Sequence, residues 1–177
     1  MTTLHLMIGL PGAGKTTEAR RLAARHRALR LTPDAWMIPL FGESDAGGKR
    51  DVPEGRLLSV ALDALRLGTN VVVDFGCWSR AERAAIRRLT ESVGASYRAV
   101  YLPIDEATQL ARIAHRQRRT PEQTFPIDAA AVASSRELFE EPDAEELSAA
   151  GGIGSPTDGC ADWAEWTAGR WPSFSKS

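Results

Sequence analysis

Residues 4–17 place the tightest constraint on how this chain can fold. Leu4, Leu6, Met7 and Ile8 form a short apolar run, which predicts a buried parallel strand. Directly after it, residues 9–16 read Gly-Leu-Pro-Gly-Ala-Gly-Lys-Thr and match G-x-x-x-x-G-K-[ST] at every fixed position. Residues 17–25 then carry small and apolar side chains at helical spacing. Strand, glycine loop and helix therefore follow in the order that a phosphate-binding loop requires.

The residue types of this loop fit the chemistry of a bound triphosphate. Its glycines allow successive backbone N–H groups to turn inward, and the following helix directs its positive end at the same point. Lys15 should reach the β- and γ-phosphates, and Thr16 should offer its hydroxyl to Mg²⁺. We therefore expect ATP as the ligand, with GTP as the alternative, together with Mg²⁺. The predicted nucleotide-binding residues are Gly9, Pro11, Gly12, Ala13, Gly14, Lys15, Thr16 and Thr17.

Further strand and helix patterns alternate along the chain. Strands are predicted at 29–32, 71–74 and 97–102, and helices at 34–40, 57–65, 79–93, 105–119 and 128–139. Ser79 and Glu82 form a capping box, Asp105 and Asp128 are predicted N-caps, and Gly68 is a predicted C′ residue. This alternation predicts an α/β fold with a parallel sheet between helices and with ligands at the carboxyl ends of the strands.

Composition indicates an ordinary single domain. The chain has 177 residues and a net charge of −1, so it lacks the overall basic field that suits nonspecific nucleic-acid binding. Cys77 and Cys160 are too few for a metal cluster, and reduced thiols are expected. We find no signal peptide and no apolar run of membrane-spanning length, so a cytoplasmic protein without a membrane partner is expected. The sequence leaves monomer and homodimer open.

Two aspartates follow predicted strands on the ligand edge of the sheet. Asp34 lies where an acceptor hydroxyl would meet the γ-phosphate, so it is a candidate general base; the alternative is an N-cap for the helix beginning at Ala35. Asp74 could hold Mg²⁺ through water, bind the acceptor, or simply end its strand. Trp36 and Trp78 are further candidates for the acceptor site, although Trp78 could equally pack in the core.

Basic residues cluster near the end of the helix predicted at 105–119. Arg112, Arg116 and Arg119 are candidate catalytic residues, because guanidinium groups over the phosphates would neutralise charge in the transition state. Residues 112–127 would then form a closing lid. The alternative is a solvated basic helix face.

Two segments have no clear periodicity. Residues 42–56 predict either a flexible surface loop or a mobile segment over the acceptor site. Residues 142–177 are first acidic and glycine-rich and then aromatic, so they could dock on the domain, mediate a dimer or bind a partner. We accordingly expect a domain at 1–141 and a linker with an aromatic tail at 142–177, packed on the same domain.

Taken together, the loop at 9–16, Asp34, residues 71–83 and residues 118–125 resemble the small P-loop kinases, a group often described as AAA family ATPase or kinase-like. The pattern over residues 1 to 140 is similar to polynucleotide kinase, chloramphenicol phosphotransferase and the zeta toxins. The resemblance implies a three-layer α/β/α sandwich of the P-loop NTP hydrolase fold, with about five parallel strands and an arginine-bearing lid. It also implies an ATP- or GTP-dependent O-phosphotransferase with Asp34 as base.

The acceptor is less defined. Polynucleotide kinases commonly carry an arginine a few residues after the base, whereas residues 35–38 here are apolar. We therefore expect a small, partly apolar hydroxyl compound, such as an antibiotic or a metabolite. The alternatives are a polynucleotide 5′-hydroxyl or nucleotide-sugar kinase, and a regulatory nucleotide-binding NTPase that has no acceptor.

Overall fold

A parallel four-stranded sheet forms the centre of the molecule. The structure is a computed structural model that describes residues 1–42, 47–119, 127–148, 151–157 and 159–174, apart from the side chain of Ile38. The strands run in the order β2-β3-β1-β4, so the strand that precedes the glycine loop is central. Their bounds are Thr3–Ile8 (β1), Leu29–Leu31 (β2), Val71–Gly76 (β3) and Ser96–Tyr101 (β4).

The strands occur where the sequence predicted them, with differences at their ends. β2 ends at Leu31 rather than residue 32, while β3 continues through Phe75 and Gly76, where the sequence pattern predicts a loop. Every residue of β3 is buried, so its backbone groups gain by joining the ladder. The described residues form four strands rather than the approximately five that the family resemblance implied.

Helices cover both faces of the sheet and complete a three-layer α/β/α sandwich. Leu4, Leu6 and Ile8 of β1 join a large buried cluster with side chains of the helices at 51–66 and 80–92. Met7 points to the opposite face, where it packs with Ala19 and Leu22 of the first helix. This alternation explains why the apolar run of β1 is nearly continuous, since both of its faces are buried. The predicted fold class is therefore confirmed.

The helices are Lys15–His26 (α1), Asp34–Phe41 (α2), Asp51–Arg66 (α3), Arg80–Ser92 (α4), Glu106–Arg119 (α5), Ala129–Leu138 (α6), Ala144–Leu147 (α7) and Trp163–Arg170 (α8). The capping box of α4 forms as predicted, and Asp128 caps α6 by accepting from the N–H of Ala131. The Asp105 carboxylate likewise accepts from the N–H of Thr108 at the start of α5.

The prediction of an irregular segment over 42–56 is partly wrong. α3 begins at Asp51, six residues before the predicted start of its apolar stripe, so residues 51–56 are helical. Pro53 does not prevent this, because a proline in the first turn removes an N–H that has no intrahelical acceptor. Residues 43–46 of the predicted loop lie outside the described residues.

The C-terminal tail contributes to the same core. Trp166 and Trp171 are buried in the cluster that contains the α3 and α4 side chains, and Trp163 and Phe174 pack against it. The three indole rings are arranged edge to face, with centroids 5.7 Å and 5.9 Å apart along the series. Cys77 and Cys160 are both free thiols. The tail therefore extends the apolar layer that covers one face of the sheet.

Candidate active site

The glycine loop connects β1 to α1 in a conformation that depends on its glycines. Gly14 has φ of 95° as the N-cap of α1, a region that L side chains rarely adopt. A Cβ on Gly9 would lie 2.8 Å from the carbonyl oxygen of Leu102, so the loop approaches the end of β4 too closely for any side chain. The first N–H groups of α1 consequently point out of the helix end, where they can bind an anion.

Lys15 lies across this loop. Its ammonium donates to the carbonyl oxygens of Gly9 at 2.7 Å and Leu10 at 2.9 Å, which leaves its third donor for a further oxygen. Burial lowers the pKa of Lys15, while the nearby carboxylates of Asp74 and Asp34 act in the opposite direction. The lysine thus places a point charge against the phosphate loop.

Thr16 and Asp74 form the second contact of the loop with the sheet. The Thr16 hydroxyl donates to Oδ2 of Asp74 at 3.1 Å, because β3 lies directly beside β1. The Asp74 side chain is 4% exposed, and its pKa is raised by burial, against the opposing effects of Lys15, Thr16 and Arg30. A hydroxyl and a carboxylate held this close are the hard oxygen ligands that suit Mg²⁺.

Asp34 is the first residue of α2 and not its N-cap. The residue lies in the first turn of the helix, and its Oδ1 accepts from Arg50 at 2.9 Å. The Asp34 side chain is 61% exposed, so a small molecule in the cleft can reach it. Its carboxylate therefore accepts a hydrogen bond from a side chain and not from the backbone N–H groups of its own helix, which argues against the capping interpretation.

These groups line one cleft of about 950 Å³. Besides the loop, the walls include Asp34, Asp74, Phe75 and Trp78. Trp36 is not among the lining residues and is 51% exposed. It follows Asp34 by two positions on α2, so it projects about 200° around the helix axis from the aspartate. The structure does not support placing Trp36 at the acceptor site.

The arginines of α5 divide into two groups. Arg112 and Arg116 line the cleft, and Arg112 donates to the carbonyl oxygen of Gly12 at 3.3 Å. Arg119, at the last residue of α5, is exposed and does not line the cleft. Residues 120–126 of the predicted lid lie outside the described residues. The cleft-facing cations are spaced four residues apart, which is one helical turn.

Several residues of the cleft were not predicted as site residues from the sequence. Arg30, Arg50, Glu54, Arg170 and Trp171 all line it. Nη1 of Arg30 is buried with no hydrogen-bond partner among the described residues, and it lies 3.9 Å from Asp74. Arg30 lies in β2, four residues before Asp34. This closeness to the candidate base is the one sequence feature that indicates Arg30 as a cleft residue. Arg50 and Glu54 lie within residues 42–56, one interpretation of which places that segment over the acceptor site, whereas no local pattern indicates Arg170 and Trp171.

A second cavity, of about 670 Å³, lies between α3, α4 and the tail. Leu62, Leu89 and Trp163 contribute to its largely apolar wall. None of the loop residues, Asp34 or Asp74 borders it, so we place the candidate active site in the larger cleft.

A comparison with protein families agrees with this geometry. The family model described as "AAA domain" matches residues 4–142, which include the loop, both aspartates and the arginines of α5. The chain belongs to the AAA domain family. The family assignment and the sandwich fold together confirm the resemblance to the small P-loop kinases. No curated protein sequence matches this AAA-domain chain significantly.

Several solved structures have a fold similar to that of this chain. A Chloroflexus aurantiacus protein described as a candidate kinase has a TM-score of 0.63 at 21% identity, covering 80% of this chain and 82% of its own. A chain of the Pnkp1/Rnl/Hen1 RNA repair complex has a TM-score of 0.63 at 18% identity, covering 77% of this chain and 43% of its own. A gluconokinase from Sinorhizobium meliloti has a TM-score of 0.55 at 17% identity, covering 98% of this chain and 90% of its own.

At these identities the similarity establishes the fold.

Of the helices in the described part of the chain, none combines the length and apolar character needed to cross a membrane. The described residues also contain no group of three His, Cys, Asp or Glu side chains arranged to hold a metal.

Proposed function

We propose that this AAA-domain protein is a kinase that transfers the γ-phosphate of ATP to a hydroxyl group of a small molecule, with Asp34 as the general base. The observation that carries the proposal is that Asp34 shares a single cleft with Lys15 and Thr16 of the phosphate loop. A carboxylate at that place can orient an acceptor hydroxyl, or a water molecule in a regulatory NTPase, and the screen described below distinguishes the two. GTP remains the alternative donor.

The donor half of the cleft would be formed by α1 and the loop. The N–H groups at the start of α1 and the Lys15 ammonium would bind the phosphate oxygens. Thr16 and Asp74, whose oxygens are 3.1 Å apart, would hold Mg²⁺, Asp74 through water. When bound, the ion neutralises charge on the β- and γ-phosphates. Arg112 and Arg116 would add positive charge from α5, where it can stabilise the transferring group.

The acceptor half would orient the attacking hydroxyl. Arg50 holds Oδ1 of Asp34, so the second carboxylate oxygen can accept a hydrogen bond from the acceptor hydroxyl. As the oxygen attacks phosphorus, its proton passes to Asp34 and the bond from the γ-phosphorus to ADP breaks. Asp34 therefore needs to be deprotonated before the transfer, and it releases the proton to water afterwards.

The size and surface of the cleft favour a small acceptor. A cleft of about 950 Å³ falls within the range of about 300–1,000 Å³ typical of small-molecule sites. The half-buried Trp78 gives its wall an aromatic surface on which a partly apolar compound could pack. The similarity to a gluconokinase fits this choice, whereas the similarity to a chain of an RNA repair complex keeps oligonucleotides in the test.

A transfer screen tests the proposal. The protein is incubated with ATP labelled at the γ-phosphate and with separate pools of sugars, sugar acids, hydroxylated antibiotics, nucleotide sugars and 5′-hydroxyl oligonucleotides. We expect label to move to a small molecule in the parent protein and not in Lys15→Met. Label that moves only to oligonucleotides or nucleotide sugars would replace the small-molecule acceptor. Steady ATP hydrolysis that no pool alters would instead indicate a regulatory NTPase.

A further inference from the structure

The last residue of the C-terminal helix and the residue that follows it both line the cleft. Arg170 and Trp171 line it beside Asp34 and Arg50, although both lie beyond residue 142, where the match to the AAA domain ends. Trp171 is 1% exposed, so it belongs to the core and does not merely touch the surface. The acceptor half of the site therefore includes a segment that lies outside the family match.

Ion pairs connect this segment to Asp34. Arg170 donates to Glu54 at 3.4 Å and to Glu82 at 2.6 Å. Glu54 accepts from Arg50 through its other oxygen at 3.0 Å, and Arg50 also donates to Asp34 at 2.9 Å. A continuous series of charged hydrogen bonds thus runs from α8 through α3 to the candidate base at the start of α2.

Glu54 is the central member of this series. Its side chain is 7% exposed, and it accepts from the Trp171 indole at 3.2 Å in addition to the two arginines. Burial raises the pKa of Glu54; Arg50, Arg170 and the Trp171 hydrogen bond lower it, and the nearby Glu82 raises it further. Because its two oxygens serve different arginines, the orientation of Glu54 fixes where Arg50 can lie.

The contact between the beginning of α3 and the tail is close. A Cβ on Gly55, the neighbour of Glu54, would lie 2.5 Å from Oγ of Ser173 and 2.9 Å from the amide nitrogen of Phe174. Arg56 donates to the carbonyl oxygen of Ser173 at 3.3 Å. The tail is consequently held against the helix that carries Glu54, which limits how far Arg170 can move.

We infer that α8 completes the acceptor half of the active site and that Arg170 is a positioning residue, which orients Asp34 through Glu54 and Arg50. This inference rests on the proposed role of Asp34 as the base. Without Arg170, the buried Glu54 would retain Arg50 as its one guanidinium partner among those described here. Arg50 would then shift towards Glu54, and its hydrogen bond would no longer hold the Asp34 carboxylate in the same position.

The first test uses the protein with ADP alone, so it does not require a known acceptor. The Asp34 Cγ and Glu54 Cδ resonances are titrated by carbon-detected NMR in the parent, Arg170→Met and Arg170→Lys. Arg66→Met is the matched control, since Arg66 lies on α3 and forms an exposed pair with Asp63. We expect Arg170→Met to change the Asp34 titration and to raise the Glu54 midpoint, while Arg66→Met changes neither. An Asp34 titration in Arg170→Met that superimposes on the parent would overturn the inference.

The second test uses the acceptor from the transfer screen. Arg170→Met should lower kcat/KM for the acceptor by about ten- to a hundredfold, the effect expected of a small misplacement of the base. KM for ATP should stay within about twofold of the parent because the donor half is untouched. Arg170→Lys should recover part of the loss.

Two results would contradict this role. Arg170→Met could behave like Arg66→Met, or it could weaken ATP binding as much as transfer, which would indicate general destabilisation. The outcome is separable from the proposed function: if Asp34→Asn abolishes transfer while Arg170→Met has no effect, only the positioning role fails. If the Asp34 titration responds to Arg170→Met but Asp34→Asn transfers normally, the series exists and the base assignment fails.

Discussion

Trp171→Ala tests whether the C-terminal tail is part of the folded domain. The Trp171 side chain is 1% exposed, packs in the main core cluster and donates its indole N–H to Glu54 at 3.2 Å. Truncating a fully buried tryptophan typically costs about 3–5 kcal/mol, which combines lost burial with the cavity that remains. Loss of a hydrogen bond to a charged group alone accounts for about 1.5–3 kcal/mol.

These two contributions can be measured separately. Trp171→Phe keeps most of the ring and removes the indole donor, so it should lose about 1.5–3 kcal/mol, the contribution of one hydrogen bond to a charged group. Trp171→Ala should lose about 3–5 kcal/mol of the free energy of unfolding, a large share of the roughly 5–15 kcal/mol that a typical domain has. Urea unfolding followed by far-UV circular dichroism provides both values.

Trp36→Ala is the matched control, because that indole is 51% exposed. An exposed substitution of this kind should change the free energy of unfolding by about 0.5 kcal/mol or less. A loss below about 1 kcal/mol in Trp171→Ala, equal to that of the control, would refute the packing described here. The inference about Arg170 would then lose its structural basis as well.

Three further predictions concern charge. Burial raises the pKa of Asp74, so its ionised form lowers stability once the pH exceeds the pKa of the unfolded state. Asp74→Asn should therefore leave the melting temperature at pH 7 equal or higher, and a clear decrease in melting temperature would contradict this. The same variant should abolish transfer, because it removes the proposed Mg²⁺ ligand. Burial and the neighbouring His26 lower the pKa of His5, so stability should fall as the pH drops below 6.5, and pH-dependent melting should show a shallower slope in His5→Gln. Arg116→Gln should reduce turnover about a hundredfold or more, whereas Arg119→Gln should have little effect; equal losses in initial-rate assays would reject the distinction between them.

Much of the fold could be predicted because its signals are local. The glycine loop, the apolar run of β3 and the capping residues of α4 and α6 each encode an element within a few positions. The position of Asp34 in the cleft followed from the rule that parallel strands direct their carboxyl ends to one edge. The start of α3 was missed because Pro53 and Gly55 weaken a helical pattern that the tail stabilises by packing.

The acceptor half of the cleft could not be predicted in the same way. Arg50 and Glu54 lie in a stretch with little periodicity, and Arg170 is 116 positions from Glu54. Such long-range pairs depend on how α3 and the tail pack, and no local pattern specifies that. Trp36 was assigned to the site from its closeness to Asp34 in sequence, but adjacent positions on a helix project in different directions.

The central claim is that Asp34 removes the proton from an acceptor hydroxyl beside the phosphate loop. Single-turnover transfer with Asp34→Asn tests it most directly, with Asp63→Asn as the control, since Asp63 is an exposed aspartate on α3. We predict that Asp34→Asn slows transfer by about two to four orders of magnitude at an unchanged affinity for ATP, while Asp63→Asn transfers normally. A slowing of only a few-fold in Asp34→Asn would contradict the claim.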